Sequence, residues 1–173
     1  MYRRKKLTNT SYEDGAVKNK AIEFGKDVLG LNLYINPKQR KIDLLCEDDS
    51  ELGVEVENGH WKGDFWSTPS YCFISGLDSP TINIPIRKEK YWKEYNMWFG
   101  KVKYNPGWKK NIFVRTNNDF SQIIVIRPET ISNPDKVIKT KFKANNCNEE
   151  EDWLSFKKED VETYNLIDGN YVC

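Results

Sequence analysis

Histidine is almost missing from this chain: His60 is the sole one in 173 residues. Its four cysteines, Cys46, Cys72, Cys147 and Cys173, lie far apart and form no CxxC pair. That scarcity argues against a structural zinc site, and reduced thiols are a simpler reading than a disulfide framework. No apolar run approaches the roughly 18 residues of a membrane-crossing helix. The first residues are basic (Met1-Tyr2-Arg3-Arg4-Lys5-Lys6) but no apolar stretch follows, so no secretory signal is expected and a cytoplasmic setting is the default. An excess of one charge is lacking too. The net charge is +1, so bulk electrostatics do not announce a nucleic-acid binder.

Aromatic residues, by contrast, are abundant at 13%, with six tryptophans. They crowd two stretches, Trp61 to Phe73 and Tyr91 to Phe99. The position of Trp61, Phe65 and Trp66 just past an acidic strand predicts packing at a homodimer interface or over bound nucleic acid, with burial in the monomer core as the alternative. Basic residues cluster locally at Arg3 to Lys6, at Arg87, Lys88 and Lys90, and at Lys101, Lys103, Lys109 and Lys110. Each cluster reads either as a solvated face or as a phosphate contact.

The order of elements follows from periodicity. Val17, Ala21, Phe24 and Val28 recur at helical spacing, so a helix is predicted over 13 to 29, stopped by Gly30. Strands are predicted over 31–35, 40–47 and 52–58, with turns at 36–39 and 48–50. Residues 59–80, rich in Gly, Ser, Pro and aromatics, read as an irregular insertion. An extended segment at 81–86, a helix over 87–99 and strands at 111–116 and 122–127 complete a core of about 13–127. The extension, 128–173, is expected to hold a strand or exposed segment at 135–145, an acidic surface at 149–152 and a short helix over 156–164 capped by Ser155. One domain over 1–173 is expected, an α/β (α+β) fold in which helices flank a central mixed β-sheet.

The chemistry concentrates in the second and third strands. Side chains alternate faces along a strand, so Glu55 and Glu57 share the face opposite Val54 and Val56. Asp43 alternates with Ile42 and Leu44. The short connection at 48–51 makes the two strands antiparallel neighbours, and Asp43 can then join the glutamates on one face. Three such carboxylates repel one another and suit a hard cation, Mg²⁺ or Mn²⁺, that activates water for attack on phosphorus. The competing reading is a solvated hairpin with an acidic outer face.

Ile42-Asp43-Leu44-Leu45, a short turn and Gly53-Val54-Glu55-Val56-Glu57 together resemble the motif of the PD-(D/E)XK nucleases, the restriction-endonuclease-like superfamily. That core is a helix, three strands carrying Asp and (Asp/Glu)-x-Lys on the second and third, then a helix and a further strand. The resemblance implies metal ligation by Asp43 and Glu55. It departs at Lys41-Ile42, where the motif proline is missing, and at Glu57, where lysine is usual. A branch of restriction enzymes is similar, with Glu-x-Glu, which would make Glu57 a ligand or general base. Otherwise a lysine reaches in from elsewhere, with Lys62, Lys88 and Lys90 as candidates.

Glu13 is a candidate extra acidic ligand, or a charge favoured by the helix N-terminus. His60, Lys62, Arg87, Lys90, Lys109 and Lys110 are candidate contacts to nucleic acid, and Lys88 is a candidate for stabilising charge on phosphorus. The expected activity is endonucleolytic hydrolysis of DNA with Mg²⁺ and no organic cofactor, in restriction, recombination or repair. The alternative is a catalytically inactive module that binds nucleic acid or protein.

Overall fold

The computed structural model describes residues 5–37, 42–72, 77–86, 88, 95–96, 103–104, 110–142 and 150–173, with the backbone alone at 5–14, 95–96, 103–104 and 142. The chain opens with α1 (Lys5–Phe24), continued by a π-helical turn, Gly25–Leu29. Gly30 ends it at a φ of 68°, in the left-handed region that glycine adopts without steric penalty. The helix buries Val17, Ala21 and Phe24 on one stripe, as their spacing predicted. Three strands follow: β1 (Leu33–Ile35), β2 (Leu44–Cys46) and β3 (Leu52–Asn58). They form an antiparallel meander, with Leu44 opposite Val54.

Beyond β3 lie a 3₁₀ turn (Phe65–Ser67), α2 (Pro69–Cys72) and β4 (Thr81–Pro85). The helix predicted over 87–99 falls largely outside the described residues. Within it, β5 (Tyr95–Asn96) pairs with β6 (Lys103–Tyr104) as an antiparallel ladder, so those two positions are extended instead of helical. The chain returns in β7 (Lys110–Thr116), parallel to β3, and turns into the antiparallel β8 (Gln122–Ile126). The short α3 (Pro128–Ile131) comes next.

The remaining residues are woven into two sheets. β9 (Ile138–Phe142) and β10 (Glu151–Lys157) join β4 in a three-stranded sheet. β11 (Glu162–Ile167) and β12 (Asn170–Val172) extend the main sheet, whose order is β1-β2-β3-β7-β8-β11-β12. The fold is therefore mixed α+β, with mostly antiparallel pairing and few helices. The helix expected over 156–164 is corrected to the end of β10, a 3₁₀ turn (Lys158–Asp160) and the start of β11. Ser155 caps nothing: it is buried in mid-strand, its hydroxyl 3.0 Å from that of Thr140. The Leu154 and Phe156 side chains explain this, because two-residue alternation lets β10 bury both against the main sheet.

The main sheet thus has two covered faces. Val54, Val56, Ile112 and Val114 pack with α1, while Phe113, Ile124 and Ile126 pack with Ile82, Ile84, Leu154 and Phe156 of the second sheet. Trp61, Phe65 and Trp66 also belong to the second core, each less than 9% exposed. This corrects the expectation that they form a dimer or nucleic-acid surface. Phe65 meets Trp61 and Trp66 edge to face at 5.1 and 4.9 Å. The Trp61 indole N–H donates to Gln122 Oε1 at 3.0 Å, which satisfies its one polar atom inside the core.

The described cysteines, Cys46, Cys72 and Cys173, are free thiols. Among the described residues no helix is long and apolar enough to cross a membrane. Phe65→Ala is expected to destabilise the fold by about 3–5 kcal/mol, the range for deleting a buried aromatic ring. A urea titration followed by far-UV circular dichroism measures it, and a midpoint equal to wild type would place Phe65 outside the core.

Candidate active site on β2, β3 and the segment after β4

β3 pairs on both sides, so its inward side chains are held without freedom to slip register. Continuing the β2–β3 register one step past Leu44 and Val54 sets Asp43 opposite Glu55. There the ladder gives way to a side chain. Asp43 Oδ2 accepts a hydrogen bond from the Val56 backbone N–H at 2.9 Å, which fixes its carboxylate against β3. Its other oxygen, Oδ1, lies 3.3 Å from the ammonium of Lys18 on α1.

Glu55 lies on the opposite face from Val54, beneath the second layer, and is 3% exposed. Lys88, three residues past the end of β4, donates to Glu55 Oε1 at 2.7 Å. The remaining oxygen, Oε2, is buried and receives no hydrogen bond from the described residues. Burial first, and then the adjacent Asp43 charge, push the Glu55 carboxyl from an ordinary 4.5 up to about 7 against the opposing pull of Lys88. The cluster alternates in sign, with two carboxylates between two lysines.

The expected three-carboxylate convergence is not what the chain builds. Glu57 shares a face with Glu55 but is drawn away by Arg115, which stands opposite it in the parallel β3–β7 register. Arg115 Nη2 donates to Glu57 Oε2 at 3.0 Å and to the Asn83 carbonyl of β4 at 2.8 Å. Among the described residues no three His, Cys, Asp or Glu side chains gather in a metal-binding group. Asp43 and Glu55 remain as the carboxylate pair.

The other sequence candidates scatter. His60 is exposed beyond the C-terminal end of β3, at a φ of 58°, with Nδ1 2.9 Å from Asn118 Oδ1. It follows Glu55 by five residues and lies beyond the end of β3. Lys62 is exposed in the following loop. Lys110 sits at the other end of the strands, paired with Asp49 at 3.0 Å. The side chain of Glu13, and all of Arg87, Lys90 and Lys109, lie outside the described residues.

Lys18 and Arg115 were not legible as site residues. Lys18 sits beside the core stripe of α1 with nothing local to mark it, and Arg115 gains its meaning only from a pairing 58 residues away in sequence. No protein-family model matches the chain, and no curated protein matches it either.

A carboxyl that holds its proton more tightly folded than unfolded makes stability fall as pH rises. Below about pH 4.5 Glu55 is protonated in both states, and above about 7 it is ionised in both. Between them the folded state binds more protons, so unfolding free energy declines across that window. Glu55→Gln should remove this decline in the metal-free protein and leave the variant at least as stable as wild type at pH 8. Chemical denaturation at pH 4.5, 6 and 8 in the presence of a chelator checks it. An unchanged slope in Glu55→Gln would mean that Glu55 titrates normally.

Proposed function

We propose that this chain is a divalent-metal-dependent nuclease of the PD-(D/E)XK type, hydrolysing phosphodiester bonds in DNA, with Asp43 and Glu55 as its metal-holding pair. One observation carries the reading. Glu55 is a buried acid with one oxygen that receives no hydrogen bond from the described residues, it lies beside a second carboxylate, and Lys88 is bound to its other oxygen. A buried, unpartnered carboxylate oxygen is unfavourable unless something compensates it. Hard cations prefer oxygen donors of this kind, so the residues present fit Mg²⁺ or Mn²⁺. Such an ion supplies Lewis-acid polarisation of a phosphate oxygen and a more acidic bound water.

The chain's own residues do the rest. The Val56 N–H and β3 hold Asp43 in place, so the pair is preorganised. Lys88 stands where its ammonium can face a phosphate that approaches Glu55, and it would oppose the charge that builds on phosphorus. It would thereby replace the lysine that the motif carries at the position of Glu57. Glu57, bound to Arg115, would act in fixing β3 to β4 instead of in ligating metal. The opening helix, the antiparallel three-strand meander and the parallel returning strand support this reading.

The ion pairing of each carboxylate with a lysine favours a second reading, a nuclease-like module that binds nucleic acid without cutting it. Cleavage separates the two. Supercoiled, linear, single-stranded and branched DNA, and RNA, are each incubated with the protein and Mg²⁺ or Mn²⁺. The expected result is metal-dependent cutting of DNA. Asp43→Asn and Lys88→Met should each lower the rate by about a hundred-fold or more, whereas Glu57→Gln should stay within about three-fold of wild type because Arg115 is its partner. DNA binding with no cutting in either metal would select the second reading.

A further inference from the structure

Alternation along β7 sorts its side chains. Ile112 and Val114 pack with α1, so Asn111, Phe113 and Arg115 take the other face, the one that carries Glu55. Asn111 is 2% exposed, and neither its carboxamide Nδ2 nor its Oδ1 has a hydrogen-bond partner among the described residues. Its direct neighbour on β3 is Gly53, which presents no side chain, so the first side chain that β3 puts on that face is Glu55. Diagonal neighbours of this kind stand roughly 7–8 Å apart. No hydrogen bond joins the two, and Glu55 Oε2 lacks a partner as well. We infer that Asn111 is a positioning residue of the site, its Oδ1 accepting a hydrogen bond from water carried by a divalent cation at Asp43 and Glu55. The inference rests on the metal reading above and deepens it.

A buried amide without hydrogen bonds is unfavourable, and native proteins hold few. Burial alone does not single Asn111 out. Thr116 Oγ1 is also buried and unpartnered, but alternation puts it with Ile112 and Val114 on the α1 face, away from the carboxylates. Asn111 has its unused acceptor on the carboxylate face, one diagonal step from Glu55. Mg²⁺ gives up water reluctantly, and is usually held by one or two carboxylates while it keeps several waters. Asp43 and Glu55 are such a pair, and the retained waters need acceptors. A neutral carboxamide provides one without the repulsion that a third carboxylate would add.

A purely structural Asn111 predicts different measurements. Melting temperature is recorded for wild type, Asn111→Leu and Asn111→Asp in chelator and in saturating Mn²⁺, and Mn²⁺ binding is followed by calorimetry without DNA. Leucine removes both unpartnered polar atoms at similar size, so Asn111→Leu should melt at or above wild type in chelator. Its Mn²⁺ affinity should fall about ten-fold or more, the ordinary loss when a group supporting a metal's ligands is removed. Asn111→Asp keeps the oxygen acceptor but adds a charge beside two others, so it should melt below wild type in chelator and bind Mn²⁺ at least as tightly. The order of stability without metal is thus the reverse of the order of affinity. Mn²⁺ affinities equal across the three proteins would overturn the role and leave the metal reading standing. If the branched leucine does not fit and Asn111→Leu fails to fold, Asn111→Asp decides alone. Mn²⁺ should raise its melting temperature more than that of wild type, and an equal or smaller rise overturns the role. Wild-type protein that takes up no Mn²⁺ overturns the metal reading and this role together.

Discussion

Seven rungs of parallel pairing between β3 and β7 organise this molecule. Two parallel strands cannot be joined by a turn, because the chain must travel back along the sheet before it can run in the same direction again. Here the described residues between the two strands, from 59 to 86, cover the face that carries Glu55, Glu57, Phe113 and Arg115. They deposit the Trp61–Phe65–Trp66 cluster and then β4 on that face. A glutamate that would be solvated on an isolated hairpin is buried as a result. The same crossover delivers the lysine that compensates it, since Lys88 follows β4 directly.

Burial of Glu55 sets the electrostatics of everything around it. A carboxylate under a covering layer is unfavourable unless paired, and one beside a second carboxylate more so. Two lysines from separate parts of the chain meet that demand, one from α1 and one from the crossover. Neither satisfies Glu55 Oε2. Structural ion pairs usually close all their polar atoms, and the proposed metal would compensate this remaining buried acceptor.

Local pattern made the first part of the chain readable. The stripe of α1, the meander and the strands at 52–58, 111–116 and 122–127 all follow from apolar spacing and short turns, with β3 spanning the range expected. Asp43 and Glu55 were legible for the same reason, standing opposite each other across one hairpin. The C-terminal residues were not, because Lys157 to Glu162 is a charged run whose helical look is local, while Leu154 and Phe156 take their strand from pairing with distant β4. The aromatics after β3 misled in the same way: nothing in Trp61 to Trp66 says that a second sheet will close over them.

Glu57 shows the limit most sharply. By alternation it must face the same side as Glu55, and that much holds. A shared face does not make a shared site, because the two side chains lie roughly 7 Å apart along the strand, and each turns to the nearest cation. For Glu55 that cation is Lys88, arriving from above. For Glu57 it is Arg115, arriving from the neighbouring strand and fixed in turn by the Asn83 carbonyl. Arg115 therefore ties three strands together through β3, β7 and β4, and an arginine with its planar fork suits that bridging better than a lysine would. The Glu-Val-Glu sequence thus divides its two acids between different tasks. The first faces a partly satisfied polar cluster beside Asp43, and the second secures the layer that buries it.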